Sequence, residues 1–143
     1  MTKFISKKIY LLFLFLFIPN TLLAENNFFS EGKRLFVLKN YKDSKLEFEK
    51  DIVFNPKNEN SYLYLAKIFK QEKKVDLEEN NLNTVILLNP KNEEAIYLLT
   101  LLNIKKSNFI KAKELIDTFK DVCVKTCSLK KELSKELETS SKQ

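Results

Sequence analysis

Asn55-Pro56-Lys57-Asn58-Glu59 and Asn89-Pro90-Lys91-Asn92-Glu93 are one pentapeptide written twice, 34 residues apart. A fixed period of this length marks a chain built from stacked copies of one supersecondary unit. Rows of 34 laid out from Glu25 give three copies. Phe28, Tyr62 and Ile96 fall in one column; Gly32, Ala66 and Thr100, all small, fall in another. Leu35 and Phe69 share a column in which the third row has Asn103. Further columns hold Tyr41, Val75 and Phe109; Phe48, Leu82 and Ile116; Ile52 and Ile86; and Phe54, Leu88 and Val122. Pro56 aligns with Pro90, where the third row has Val124.

Each row splits into two helical stretches. In the second row Tyr62, Leu65, Ala66 and Phe69 follow the i, i+3, i+4, i+7 spacing of one apolar stripe. A polar turn at Lys73-Lys74 interrupts it, and Val75, Leu82, Val85, Ile86 and Leu88 take it up again. Asn89-Pro90 then stops the helix, because proline disfavours helical geometry in the residue before it. Asn58 and Asn92 are placed to cap the helices that follow. One glycine and three prolines leave little other punctuation, and no convincing strand pattern is present. The chain is expected to be all-α.

These residues resemble the tetratricopeptide repeat. That family's helix-turn-helix unit carries an aromatic residue, Leu, Gly or Ala and then Tyr in its first helix. Its second helix carries Ala, an aromatic and Ala, and proline closes the unit. The second row matches through Tyr62, Leu65, Ala66, Phe69 and Pro90, and the first through Phe28, Gly32, Tyr41, Phe48 and Pro56. The third matches through Leu99, Phe109 and Ala112 but lacks the closing proline. Other departures are Glu31 in the Leu place, Ser44 and Glu78 in the column of Ala112, and Asp51 in a small-residue place. The resemblance implies an α-solenoid of about three helix-turn-helix repeats, 25–58, 59–92 and 93–122, plus a C-terminal capping helix. Residues 128–138 fit that cap, with Ser128 as N-cap and Leu129, Leu133 and Leu137 as a narrow apolar stripe. A disordered tail is expected over 139–143.

The resemblance also implies a concave groove lined by the first helices of successive units, which takes extended peptides or helices. The columns that would face it hold Asn26, Asn60 and Glu94; Phe29, Leu63 and Tyr97; Lys33, Lys67 and Leu101; Phe36, Lys70 and Ile104; and Val37, Gln71 and Lys105. The candidate binding set is Phe29, Lys33, Phe36, Leu63, Lys67, Lys70, Tyr97, Leu101, Ile104 and Lys105. Its lysines would favour an acidic segment or a C-terminal carboxylate, although a lysine on a helix is often merely solvated. The Lys–Asn pair with which related repeats clamp chaperone tails is absent, since those columns hold Phe29 and Lys33.

The N-terminus has the three-part layout of an export signal. Lys3, Lys7 and Lys8 precede the apolar run Ile9–Ile18, Pro19-Asn20 breaks it, and Leu22-Leu23-Ala24 places cleavage after Ala24. The run is shorter than the roughly 20 residues that span a bilayer. Retained, it would tether the protein to a membrane. Removing residues 1–24 takes away three lysines and no acid, so the formal charge falls from +6 to +3. That modest, mixed charge argues against nucleic acid. Location in the periplasm, or otherwise secreted, is expected.

Cys123 and Cys127 are the only cysteines, and an even count in an exported chain favours a disulfide. Residues four apart around a helical turn fall within the permitted Cα separation, and such a bond would fix the angle of the capping helix. Thiol-redox chemistry is the lesser alternative, because redox pairs have two intervening residues in a mixed α/β fold and this pair has three. With no histidine in the chain, two cysteines do not make a metal or haem site. Neither a general-base histidine, a phosphate-binding glycine loop nor a nucleophile elbow is present. Carboxylates such as Glu47, Glu49, Glu78 and Glu79 read as solvated. The expectation is a non-catalytic adaptor or scaffold of the bacterial cell envelope, without cofactor, that binds a peptide or helix. A membrane-tethered assembly factor is the alternative.

Overall fold

A computed structural model describes residues 27–142. Among the described residues seven helices follow one another as three antiparallel hairpins and a final helix: α1 Phe28–Val37 with α2 Tyr41–Phe54, α3 Glu59–Gln71 with α4 Val75–Leu88, α5 Glu93–Lys105 with α6 Phe109–Val122, and α7 Leu129–Ser141. No strand occurs among the described residues. The fold is the expected α-solenoid with a last helix docked on the third hairpin. The expected signal segment 1–24 and the groove-column residue Asn26 lie outside the described residues. So does the run Ile9–Ile18, and no helix among the described residues is long and apolar enough to cross a membrane.

The turn inside each hairpin repeats as faithfully as the pentapeptide between them. Lys39, Lys73 and Ser107, again 34 apart, all have left-handed backbones, with φ of 59°, 57° and 57°. Each closes a C-terminal motif in which the next residue's N–H reaches back five places: Asn40 to Leu35 O, Lys74 to Phe69 O and Asn108 to Asn103 O. Glycine is the usual residue there, because a side chain makes this conformation unfavourable by about 1 kcal/mol. Lys73→Gly and Ser107→Gly should therefore each raise unfolding free energy by about 1 kcal/mol. Urea titration checks this, and no gain at either site would show the turns to be unstrained.

Asparagine caps four of the helices. Asn40, Asn58, Asn92 and Asn108 accept from the N–H groups of Asp43, Asn60, Ala95 and Lys111. In the column of Asn40 and Asn108, α4 has Lys74, which gives no side-chain cap. Ser128 does not cap α7 either. Its own backbone is helical, and the first turn is held instead by Leu129 N–H to Thr126 O and Lys130 N–H to Cys127 O. The tail expected to be disordered continues α7 to Ser141. Thr139 Oγ1 donates to Lys135 O, and Lys142 pairs with Glu138 across one turn at 2.5 Å, contacts that favour helix over coil.

Two apolar clusters form the interior. Phe48, Leu65, Ile68 and Phe69 close the first joint, with Phe29, Phe36, Tyr41, Ile52 and Tyr64 packed against them. The larger cluster runs from Leu63 and Ala66 through Leu82, Val85, Ile96 and Leu99 to Ile116, Phe119 and Leu133. Leu133 is the one buried residue of α7 and is fully enclosed. Burial of that one leucine is worth about 1.5–3 kcal/mol to the cap.

Polar ties join one hairpin to the next. Asp51, 2% exposed, accepts from Ser61 Oγ at 2.5 Å, Asn58 Nδ2 at 2.7 Å and Asn55 Nδ2 at 3.0 Å. The pentapeptide glutamates reach one full unit forward. Glu59 accepts from Asn89 Nδ2 at 3.2 Å. Glu93 takes the N–H groups of Val124, Lys125 and Thr126, at 2.8, 3.2 and 2.9 Å, and the Thr126 hydroxyl. The third unit's missing proline has a structural use here, since Val124 donates an N–H that proline lacks. The clamped segment is the loop closed by the Cys123–Cys127 disulfide, whose Cα atoms are 5.1 Å apart.

The Thr126 hydroxyl and the three backbone donors hold the Glu93 carboxyl at about 2, below its ordinary 4.5. A depressed carboxylate contributes stability that is complete above pH 4.5 and is lost as pH falls towards 2. Amide exchange at Val124, Lys125 and Thr126, corrected for intrinsic rates, should rise across that window in the wild type. In Glu93→Gln one oxygen remains for the Val124 and Lys125 N–H groups, but the amide nitrogen sets a donor against the Thr126 N–H, so Thr126 should exchange fast already at neutral pH and be unchanged by acid. Equal protection in both proteins at pH 7 would remove Glu93 from this role.

Candidate functional site

The first helices α1, α3 and α5 lie side by side, and much of the predicted groove is consumed in joining them. Leu63 and Ile104 are each 4% exposed and belong to the interior, so neither is free to contact a ligand. Phe29 and Phe36 are half-buried against Tyr64 of α3, at centroid distances of 6.0 and 5.1 Å with edge-on geometry. Tyr97 is half-buried as well. Its hydroxyl donates to Glu132 of α7 at 2.8 Å, and its ring lies 6.5 Å from Phe119. The capping helix thus occupies the place a fourth first helix would take.

The lysines divide in the same way. Lys67 bridges α3 to α5 through Glu94 at 2.6 Å, and its ammonium sits 4.8 Å over the Tyr64 ring. Lys33 lies 5.6 Å over Phe29 on exposed surface. Lys70 and Lys105, both exposed, converge with Leu101 on one small cavity of about 90 Å³. Lys73, Val75, Leu98, Leu102 and Glu78 complete its lining. Of the ten predicted groove residues, Lys70, Leu101 and Lys105 are brought together around this recess.

Glu78 is the recess residue that the sequence pattern did not place there. It was expected to be solvated, yet it is 6% exposed. The signal was available: a carboxylate stands in the column of Ser44 and Ala112, both fully buried. A small-residue column faces the partner helix of its own hairpin, and a glutamate there is largely withdrawn from open water. Burial pushes the Glu78 carboxyl up, while the charges of Lys70 and Lys105 pull it part of the way back. Neither lysine closes on it as an ion pair, and no hydrogen bond holds it. Among the described residues no group of three or more His, Cys, Asp or Glu is placed to hold a metal.

No protein-family model matches the chain, and no curated protein matches it. Solved structures do. The TPR2B domain of yeast Sti1, in complex with pHsp70, superposes with a TM-score of 0.70 at 19% identity, covering 82% of this chain and 95% of that one. The Yersinia enterocolitica type III secretion chaperone SycD, in complex with a peptide of the translocator YopD, gives 0.70 at 14% identity over 80% and 90% of the two chains. A tetratricopeptide repeat protein from Parabacteroides merdae gives 0.76 at 19% identity, with 87% of this chain matching 48% of that one. The chain has the fold of the tetratricopeptide-repeat proteins.

Proposed function

We propose that the protein is a non-catalytic adaptor that holds a peptide segment against α3 and α5. The observation that carries this reading is the recess where Lys70, Lys73 and Lys105 surround a floor of Leu98, Leu101 and Leu102. Exposed cations beside an apolar floor suit a segment that offers an apolar side chain next to a carboxylate. Two proteins of the same fold, Sti1 and SycD, were captured with pHsp70 and with a YopD peptide. The lysine-flanked apolar run before Pro19 and the paired cysteines support an exported, envelope-located adaptor.

Equilibrium binding of a random dodecapeptide pool to the wild type and to Lys70→Glu/Lys105→Glu tests the site. The variant should lose tenfold or more in affinity for the peptides the wild type selects, about 1.4 kcal/mol. Both substitutions are on the surface, so folding is expected to survive, and a melting curve checks it. Selection of the same peptides with equal affinity would move the binding surface elsewhere.

A further inference from the structure

Glu78 presents a carboxylate to the recess with nothing bonded to it. It is more than nine-tenths buried, it lines the cavity, and Lys70 and Lys105 act on it by charge without closing an ion pair or a hydrogen bond. Its oxygens are not sealed from solvent, so a group that fills the cavity displaces water from them and is favoured only if it supplies a donor of its own. The rest of the lining constrains what that can be. Val75, Leu98, Leu101 and Leu102 are apolar and have no donor to offer from their side chains. Lys70, Lys73 and Lys105 stand around the same cavity and would repel an ammonium or guanidinium group. A bare carboxylate entering the cavity would meet Glu78 as a like charge. What remains is a neutral donor, with a negative charge outside the cavity for the lysines. About 90 Å³ has room for roughly three waters, or for a small hydroxyl side chain in their place.

We propose that this cavity is a specificity pocket for a threonine or serine hydroxyl followed directly by an acidic residue, in an extended peptide. The hydroxyl donates to a Glu78 carboxylate oxygen. The β-methyl of threonine rests on Leu98 and Leu101, and the following carboxylate meets Lys70 and Lys105. Glu78 is then a specificity residue, while the lysines supply charge attraction that does not distinguish hydroxyl from methyl. This assignment rests on the peptide-binding reading given above.

The test uses three dodecapeptide pools, random except for a central Thr-Asp, Val-Asp or Thr-Ala. Threonine and valine differ by a hydroxyl for a methyl at nearly equal size, so the first two pools isolate the hydrogen bond. The wild type is expected to bind the Thr-Asp pool at least tenfold more tightly than Val-Asp, and more tightly than Thr-Ala. In Glu78→Leu the preference for Thr over Val should vanish or reverse while the preference for Asp persists. In Lys70→Glu/Lys105→Glu the preference for Asp should vanish. Equal binding of Thr-Asp and Val-Asp by the wild type overturns the pocket assignment and leaves the adaptor reading standing. Failure to bind any pool overturns both. Because the decisive comparison is between peptides on the unmodified protein, it does not depend on how well any variant folds.

Discussion

Asp51→Ala should destabilise the protein by about 3 kcal/mol, measured by urea denaturation. The carboxylate sits at the joint between the first and second hairpins and is the shared acceptor for Ser61 Oγ, Asn58 Nδ2 and Asn55 Nδ2. Ser61 has no exposed surface. Alanine would leave that buried hydroxyl without its acceptor, and an orphaned buried donor is the expensive outcome of such a substitution, whereas the amides of exposed Asn55 and half-buried Asn58 can turn to water. The second joint indicates the remedy. In the columns of Asp51 and Ser61 it has Val85 and Ala95, both fully buried in the central cluster. The double variant Asp51→Val/Ser61→Ala copies that apolar solution. Replacing both fully buried members of a polar set by packed apolar groups is often neutral or stabilising, so the double variant should lie within about 1 kcal/mol of the wild type. A loss below about 1 kcal/mol in Asp51→Ala, or simple additivity in the double variant, would refute the shared-acceptor account.

The column register was legible in the sequence because the repeat is strict where the backbone needs it. Phe48, Leu82 and Ile116 fall in one column and all three are buried. The pentapeptide marks the joints, and Asn58 and Asn92 cap the helices after them. The groove was less legible, for a geometric reason. An outer helix buries one stripe, but α3 and α5 have neighbours on both sides, so Leu63 and Ile104 pass from the open face into the interior. A column assigned from an isolated repeat cannot distinguish a ligand-facing residue from one facing the next copy. Tyr97 makes the same point, since its neighbour is the capping helix, which follows no repeat. The glutamate ties were hidden because they link residues 30 to 33 apart, as in Glu59 with Asn89 and Glu93 with Thr126. One period covers that separation, yet apolar periodicity carries no trace of it. Asp51 and Glu78 did show in the sequence as departures from a small-residue column. Each has a physical consequence: one is satisfied by three donors, and the other is left open to a cavity.

Gly32→Ala should destabilise the first hairpin by about 2 kcal/mol, although alanine is the better helix former by up to about 1 kcal/mol. A β-carbon at Gly32 would lie 2.8 Å from Phe48 Cε1 and 2.9 Å from Cδ1, closer than carbon atoms tolerate. The ring cannot swing aside. It has no exposed surface, it stacks on Tyr64 at 5.0 Å, and Phe29 packs against it at 5.9 Å. The backbone of α1 cannot retreat without cost either, because Ser44 Oγ, buried in α2, donates to Gly32 O at 2.8 Å. The three units show a size exchange between two columns: glycine with Phe48, Ala66 with Leu82, and Thr100 with Ile116. Larger residues at the helix crossing accompany smaller ones from the second helix. Phe48→Leu alone should also destabilise, by about 2 kcal/mol, through the space it opens. Combined with Gly32→Ala it reproduces the pairing of the second unit, and the new methyl group occupies part of that space. The double variant should therefore be at least 1 kcal/mol more stable than the sum of the single losses predicts. Thermal and urea unfolding of the four proteins measure the coupling directly. Additive losses would mean that the crossing relaxes around Gly32 and that the column exchange does not set the approach of α1 to α2.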